Sequence, residues 1–81
     1  YNGNEIDAVL ELEDGDWCAF EIKLGANKAD EGANNLVKVS KAIEAHGGKP
    51  PKAKCVICGL GNAAYTRPDG VMIVPLNVLK N

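Results

Sequence analysis

Two alternating segments, residues 4–12 and 16–24, joined by Glu13-Asp14-Gly15, constrain this chain more than any other feature. Side chains on a strand alternate between faces, so residues two apart point the same way. The apolar positions are Ile6, Ala8, Leu10 and Leu12 in the first segment and Cys18, Phe20, Ile22 and Leu24 in the second. Even numbers therefore form the expected buried face of both strands, and only registers with an even partner sum satisfy both patterns. The loop reads as a three-residue hairpin connection with Gly15 in the left-handed position after a type I turn. Leu12 then pairs with Asp16, and partner numbers sum to 28. In that register Ala8 faces Phe20, Ile6 faces Ile22, Asp7 faces Glu21 and Glu5 faces Lys23.

This places two carboxylates, Asp7 and Glu21, roughly 5 Å apart at their Cβ atoms, with Lys23 on the same face as Glu21. Like charges directly opposite one another destabilise a sheet, and a divalent cation held by oxygen ligands would balance them. Mg²⁺ or Mn²⁺ suits so sparse a set, because Mg²⁺ takes one or two carboxylates and completes its shell with water and substrate phosphate. Lys23 would then orient an attacking water or stabilise charge developing on phosphorus. The competing reading is a solvated polar face with a Glu5–Lys23 surface ion pair worth under about 1 kcal/mol. Spacing alone leaves both open.

Downstream the period changes. Ala33, Leu36, Val37, Ser40 and Ile43, widened by Val39 and Ala42, recur at helical spacing between about Ala29 and His46. Gly47-Gly48 stops this helix and Pro50-Pro51 prevents its resumption. Residues 53–60 read as a buried strand, parallel to its neighbour if reached through the helix. Tyr65-Thr66-Arg67 and 71–74 flank the turn Pro68-Asp69-Gly70 and predict a second hairpin, and Pro75 opens a final short helix. The expected fold is a single α/β domain with a mixed sheet and the order β-β-α-β-β-α.

With 81 residues the chain can build only a modest core. Cys55 and Cys58 sit three apart on a strand and face opposite layers, so with Cys18 they are expected to be core thiols and not a zinc or redox set. His46 falls at a helix end. A net charge of −2, a single arginine and isolated aromatics argue against strong autonomous nucleic-acid binding. Lys38, Lys41, Lys49, Lys52 and Lys54 nevertheless form a basic stretch against acidic residues 5–16. No phosphate-binding glycine loop with its lysine is present, so these residues contain no ATP site. No run approaches the ~20 apolar residues of a membrane span and no signal peptide opens the chain, making a cytoplasmic location and no membrane partner the expectation.

Asp7, a hairpin and Glu21-Ile22-Lys23 within apolar strands resemble the PD-(D/E)xK nuclease superfamily. Gly3-Asn4-Glu5-Ile6-Asp7-Ala8-Val9-Leu10, Phe20-Glu21-Ile22-Lys23-Leu24-Gly25 and Cys55-Val56-Ile57-Cys58-Gly59 make nearly the whole chain similar to the C-terminal domain of a bacterial and archaeal family of AAA-type ATP-binding proteins. The resemblance implies a restriction-endonuclease-like sheet lacking its usual N-terminal helix, and residues 1–81 as one nuclease-like domain from the C-terminal part of a longer ATPase. It implies Asp7 and Glu21 as metal ligands, Lys23 as the catalytic lysine and Glu5 as an accessory carboxylate. The expected partners are the ATPase portion of the same chain and DNA. The expected activity is Mg²⁺- or Mn²⁺-dependent phosphodiester hydrolysis; the alternative is a catalytically inactive nuclease-fold module that serves the ATPase.

Overall fold

The computed structural model describes residues 7–25, 27–59 and 61–79. They form an α/β fold of five strands, one helix and a terminal 3-10 turn. The strands are β1 (Ala8–Glu11), β2 (Trp17–Lys23), β3 (Ala53–Cys58), β4 (Tyr65–Thr66) and β5 (Met72–Pro75). Helix α1 (Ala29–Ala45) joins β2 to β3, and the 3-10 turn is Leu76–Leu79. The sheet order is β1-β2-β3-β5-β4, with β2, β3 and β5 parallel and both outer strands antiparallel to their neighbours. The parallel β2-α1-β3 unit follows from a crossover too long for a hairpin and filled by a helix. The expected element order holds. Within the described residues β1 stops at Glu11, β2 runs 17–23 against the expected 16–24, β3 stops at Cys58, and the last helix is a 3-10 turn; residues 4–6 and 60 of the expected ranges lie outside the described residues.

The first hairpin has the expected register, pairing Ala8 with Phe20, Val9 with Ala19, Leu10 with Cys18 and Glu11 with Trp17. The Leu12 amide donates to the Asp16 carbonyl (2.8 Å) and the Gly15 amide to the Leu12 carbonyl (3.0 Å). Gly15 has φ +90°, a region that disfavours residues with a Cβ by about 1–2 kcal/mol. Asp14 Oδ1 accepts from the Asp16 amide. The second hairpin repeats the device. The Arg67 amide donates to the Val71 carbonyl, Gly70 also has φ +90°, and Asp69 Oδ1 accepts from the Val71 amide. The pairs Glu5–Lys23 and Ile6–Ile22 fall outside the described residues.

One expectation is reversed: the helix covers the odd-numbered face of β2. The core consists of Ala19, Ala33, Leu36, Val56, Val71 and Ile73. Register places Val56 beside Glu21 and Ile73 beside Val56, on the side that α1 packs. The even face carries Leu10, Ile22, Leu24 and Met72, which are 52%, 47%, 55% and 43% exposed. Alternation separates the two faces of a strand but does not decide which one a crossover helix takes. Here small Ala19 and the bare backbone of Gly32 admit the helix closely, and β5 is apolar on both sides. The buried helix stripe is Gly32, Ala33, Leu36 and Val39; Ala33, Leu36 and Val39 are as expected, Gly32 joins them, and Val37, Ser40, Ala42 and Ile43 are half-buried.

Polar clasps tie the periphery to this core. Arg67 donates to the Asp30 carbonyl and carboxylate, to Asn34 Oδ1 and to Asp69 Oδ2, joining the second hairpin to the first half of α1. Trp17 Nε1 donates to the Lys49 carbonyl (2.8 Å), and Asp16 pairs with Lys49 (2.6 Å) and Lys52 (3.8 Å). The hydrogen bond from the Lys49 ammonium holds the Asp16 carboxyl below its ordinary value. Two lysines of the basic stretch are thus engaged with the acidic hairpin.

The face assignment predicts unequal losses on truncation. Leu36→Ala, at 2% exposure, should lower stability by about 2–5 kcal/mol. Ile22→Ala should lower it by about 1 kcal/mol or less. Urea unfolding followed by Trp17 fluorescence measures both, and equal losses would mean that the helix does not cover the odd face.

Candidate functional site

The residues singled out by spacing meet at the junction of β1, β2 and α1. Asp7 lies just before β1, where its amide donates to the carbonyl of Phe20 (3.1 Å), the residue that Ala8 already pairs, so the regular ladder ends at Ala8 and Asp7 reaches β2 outside it. Its Oδ2 accepts from the Ile22 amide at 2.8 Å. Asp7 is exposed, whereas Glu21 is only 5% exposed. Both Glu21 oxygens accept from Asn35 Nδ2 at 3.1 Å, a contact that spans from the sheet to the helix. Lys23, two residues on, is half-buried at the end of β2. A Cβ added at Gly32 would lie 2.9 Å from Lys23 Cγ and 3.2 Å from Val56 Cγ1, so the lysine stem runs under a point of the helix that has no side chain.

Burial pushes the Glu21 carboxyl above its ordinary value of 4.5. The Asn35 hydrogen bond and the Lys23 charge oppose that shift, and the negative charges of Asp7 and Glu31 add to it. Among the described residues no Lys, Arg or His forms an ion pair with Glu21. A buried carboxylate in this position gains from either a proton or a cation. The donors on offer are hard oxygens from two carboxylates, and among the described residues no group of three or more His, Cys, Asp or Glu converges. Such a donor set suits Mg²⁺ or Mn²⁺, which keep waters and substrate oxygens in their shells, and not an all-protein zinc cage. Glu5, the accessory carboxylate, lies outside the described residues.

Asn35 and Glu31 are contributors that the sequence reading passed over. They stand one helical turn apart, and their signal was the i, i+4 spacing of two polar groups bordering Gly32 in an otherwise apolar stripe. The cysteines separate as expected. Cys55 registers with Phe20 and Met72 on one face, and Cys58 with Lys23 and Pro75 on the other. All three thiols are free, and burial raises that of Cys55. His46 caps the helix end through Nδ1 and the Ala42 carbonyl (2.8 Å), away from the carboxylates.

The chain belongs to the family described as Domain of unknown function (DUF4143), whose model matches residues 1–79. No curated protein and no solved structure matches it.

The buried carboxyl generates a pH prediction. Because folding raises the Glu21 pKa, its contribution to stability is fully present below pH 4.5 and is lost as pH rises through the folded-state value. Glu21→Gln removes that titration while keeping a partner for Asn35. Wild type should therefore lose stability relative to Glu21→Gln as pH rises from 4 towards 8 in the absence of divalent metal. Urea midpoints of the two proteins across this range measure the difference, and parallel curves would exclude a strained Glu21.

Proposed function

We propose that this chain is a nuclease-like domain of an AAA-type ATP-binding protein, with a phosphodiesterase site built from Asp7, Glu21 and Lys23 and DNA as its substrate. The observation that carries the reading is the Glu21 carboxylate, buried beneath Asn35, within the field of the Asp7 carboxylate and two residues from Lys23, with no ion pair among the described residues. Asp7 and Glu21 would hold Mg²⁺ or Mn²⁺. When bound, such a cation polarises a phosphoryl oxygen and acidifies a water. Lys23, its stem braced beneath Gly32, brings its ammonium to the same face, where it neutralises charge building on the phosphoryl group or orients the water. Asn35 is a positioning residue that fixes the orientation of the Glu21 carboxylate. The mixed sheet, with an acidic hairpin at one edge and a β-α-β crossover beside it, supports a restriction-endonuclease-like arrangement.

A second reading has its own observation in support. Lys49 and Lys52 are drawn to Asp16, and the net charge is −2, which leaves little free cationic surface for a phosphate backbone. On that reading the domain keeps the fold and the metal site and serves the ATPase as an interaction or regulatory module without cleaving.

Calorimetric Mn²⁺ titration together with DNA cleavage assays tests both. Asp7→Asn and Glu21→Gln should each weaken Mn²⁺ binding by roughly tenfold or more, and Lys23→Ala should leave binding intact while lowering cleavage about 10²–10³-fold. Metal binding without cleavage by any form would select the second reading. Mn²⁺ binding indifferent to Asp7 and Glu21 would overturn both.

A further inference from the structure

A crevice of about 680 Å³ opens beyond the carboxyl ends of the three parallel strands, within the range of small-ligand sites. Its floor is Cys58 and Pro75, the last residues of β3 and β5, with Leu24 just after β2. Open α/β sheets bind ligands outside this edge. The floor is firmly held. The Leu76 amide donates to the Gly59 carbonyl (3.0 Å), and Asn77 exchanges two hydrogen bonds with the Gly61 backbone (3.2 and 3.1 Å). Glycine is needed at both places, since a Cβ would come within 2.7 Å of the Leu24 carbonyl oxygen at Gly59 and of Pro75 Cγ at Gly61. The walls are lined by small residues, Gly25, Ala29, Ala63 and Ala64, so the space is not filled from the sides.

The chemistry of the lining is one-sided. In a chain with 11 acidic and 9 basic residues, the described lining contains Lys28 and no Asp or Glu, and Lys28 is held only by an exposed ion pair with Glu31 (3.6 Å), which a ligand phosphate would have to outcompete. Tyr65 is its aromatic residue, 53% exposed, and stands opposite Ile73 on the helix side of the sheet. A flat ring, alanine and glycine in the lining, and a lysine among them match a ligand with one planar base and one anionic group. Cys58 is also the register partner of Lys23, so the crevice adjoins the carboxylate site without sharing its residues.

We infer that this crevice binds one nucleoside monophosphate, with its base against Tyr65 and its phosphate at Lys28. The ligand is either the free nucleotide or the terminal residue of a nucleic-acid strand. The inference does not depend on a metal at Asp7 and Glu21, which allows the two to fail separately.

The test is amide NMR titration of the ¹⁵N-labelled chain in EDTA, using AMP, a 5′-phosphorylated six-nucleotide single strand, ribose 5-phosphate and inorganic phosphate. AMP should shift the amides of residues 24, 25, 27–29, 58, 59 and 61–65 saturably. Tyr65→Ala and the exposed-site variant Lys28→Glu should each weaken this roughly tenfold, while Glu21→Gln leaves it unchanged. A strand that binds at least tenfold more tightly than AMP identifies the strand end as the source, and equal affinities identify the free nucleotide. No saturable shift at millimolar AMP, or equal shifts with ribose 5-phosphate or phosphate, would overturn the inference even where Mn²⁺ binds at the carboxylates.

Discussion

The sheet is oriented by the contact between Ala33 and Leu36 of α1 and Ala19, Val56 and Ile73 beneath them. Because the crossover must return the chain parallel to β2, the helix can cover only one face, and this contact decides which. Once the odd positions of β2 are beneath it, Glu21 is carried inside along with Ala19, and Lys23 is laid under Gly32. The carboxylate that would hold a cation is therefore placed by hydrophobic packing, and the lysine by a missing side chain on the helix.

That placement sets stability against chemistry. A carboxylate removed from water is unfavourable unless it is protonated, hydrogen-bonded or paired, and Asn35 supplies only the hydrogen bonds. Asp7 and Glu31 add negative charge to the same locality. A hairpin designed only to be stable would place a smaller apolar group at position 21, as it does at Ala19.

Much of this was legible in the chain. The register of the first hairpin follows from the shared parity of two strands and a three-residue loop with glycine third, and the same loop logic gives the second hairpin at Pro68-Asp69-Gly70. The parallel β2-β3 pairing follows from the intervening helix. Legibility ended where a decision depends on the third dimension. The alternation of Cys18, Phe20, Ile22 and Leu24 looks like a buried stripe, yet those residues lie on the face away from α1, because burial depends on which surface a distant element takes. Asn35 and Glu31 carried no motif of their own, since a polar pair on a helix is ordinarily a solvated one. Arg67, a lone arginine in the sequence, owes its role to four oxygen atoms brought together from α1 and the second hairpin. The metal-ligand assignment rests on spacing and resemblance, and the geometry supplies the burial that gives it physical motive.

The face left open by the helix has a thermodynamic consequence. Leu10, Ile22, Leu24 and Met72 already meet water in the folded chain, so unfolding hydrates less new apolar area than a sheet covered on both sides would release. Apolar hydration is the source of the heat-capacity increment of unfolding, ordinarily about 12–15 cal/mol/K per residue. For this chain the exposed face lowers the increment relative to a sheet of the same size covered on both sides. A smaller increment reduces the curvature of the stability curve between cold and heat.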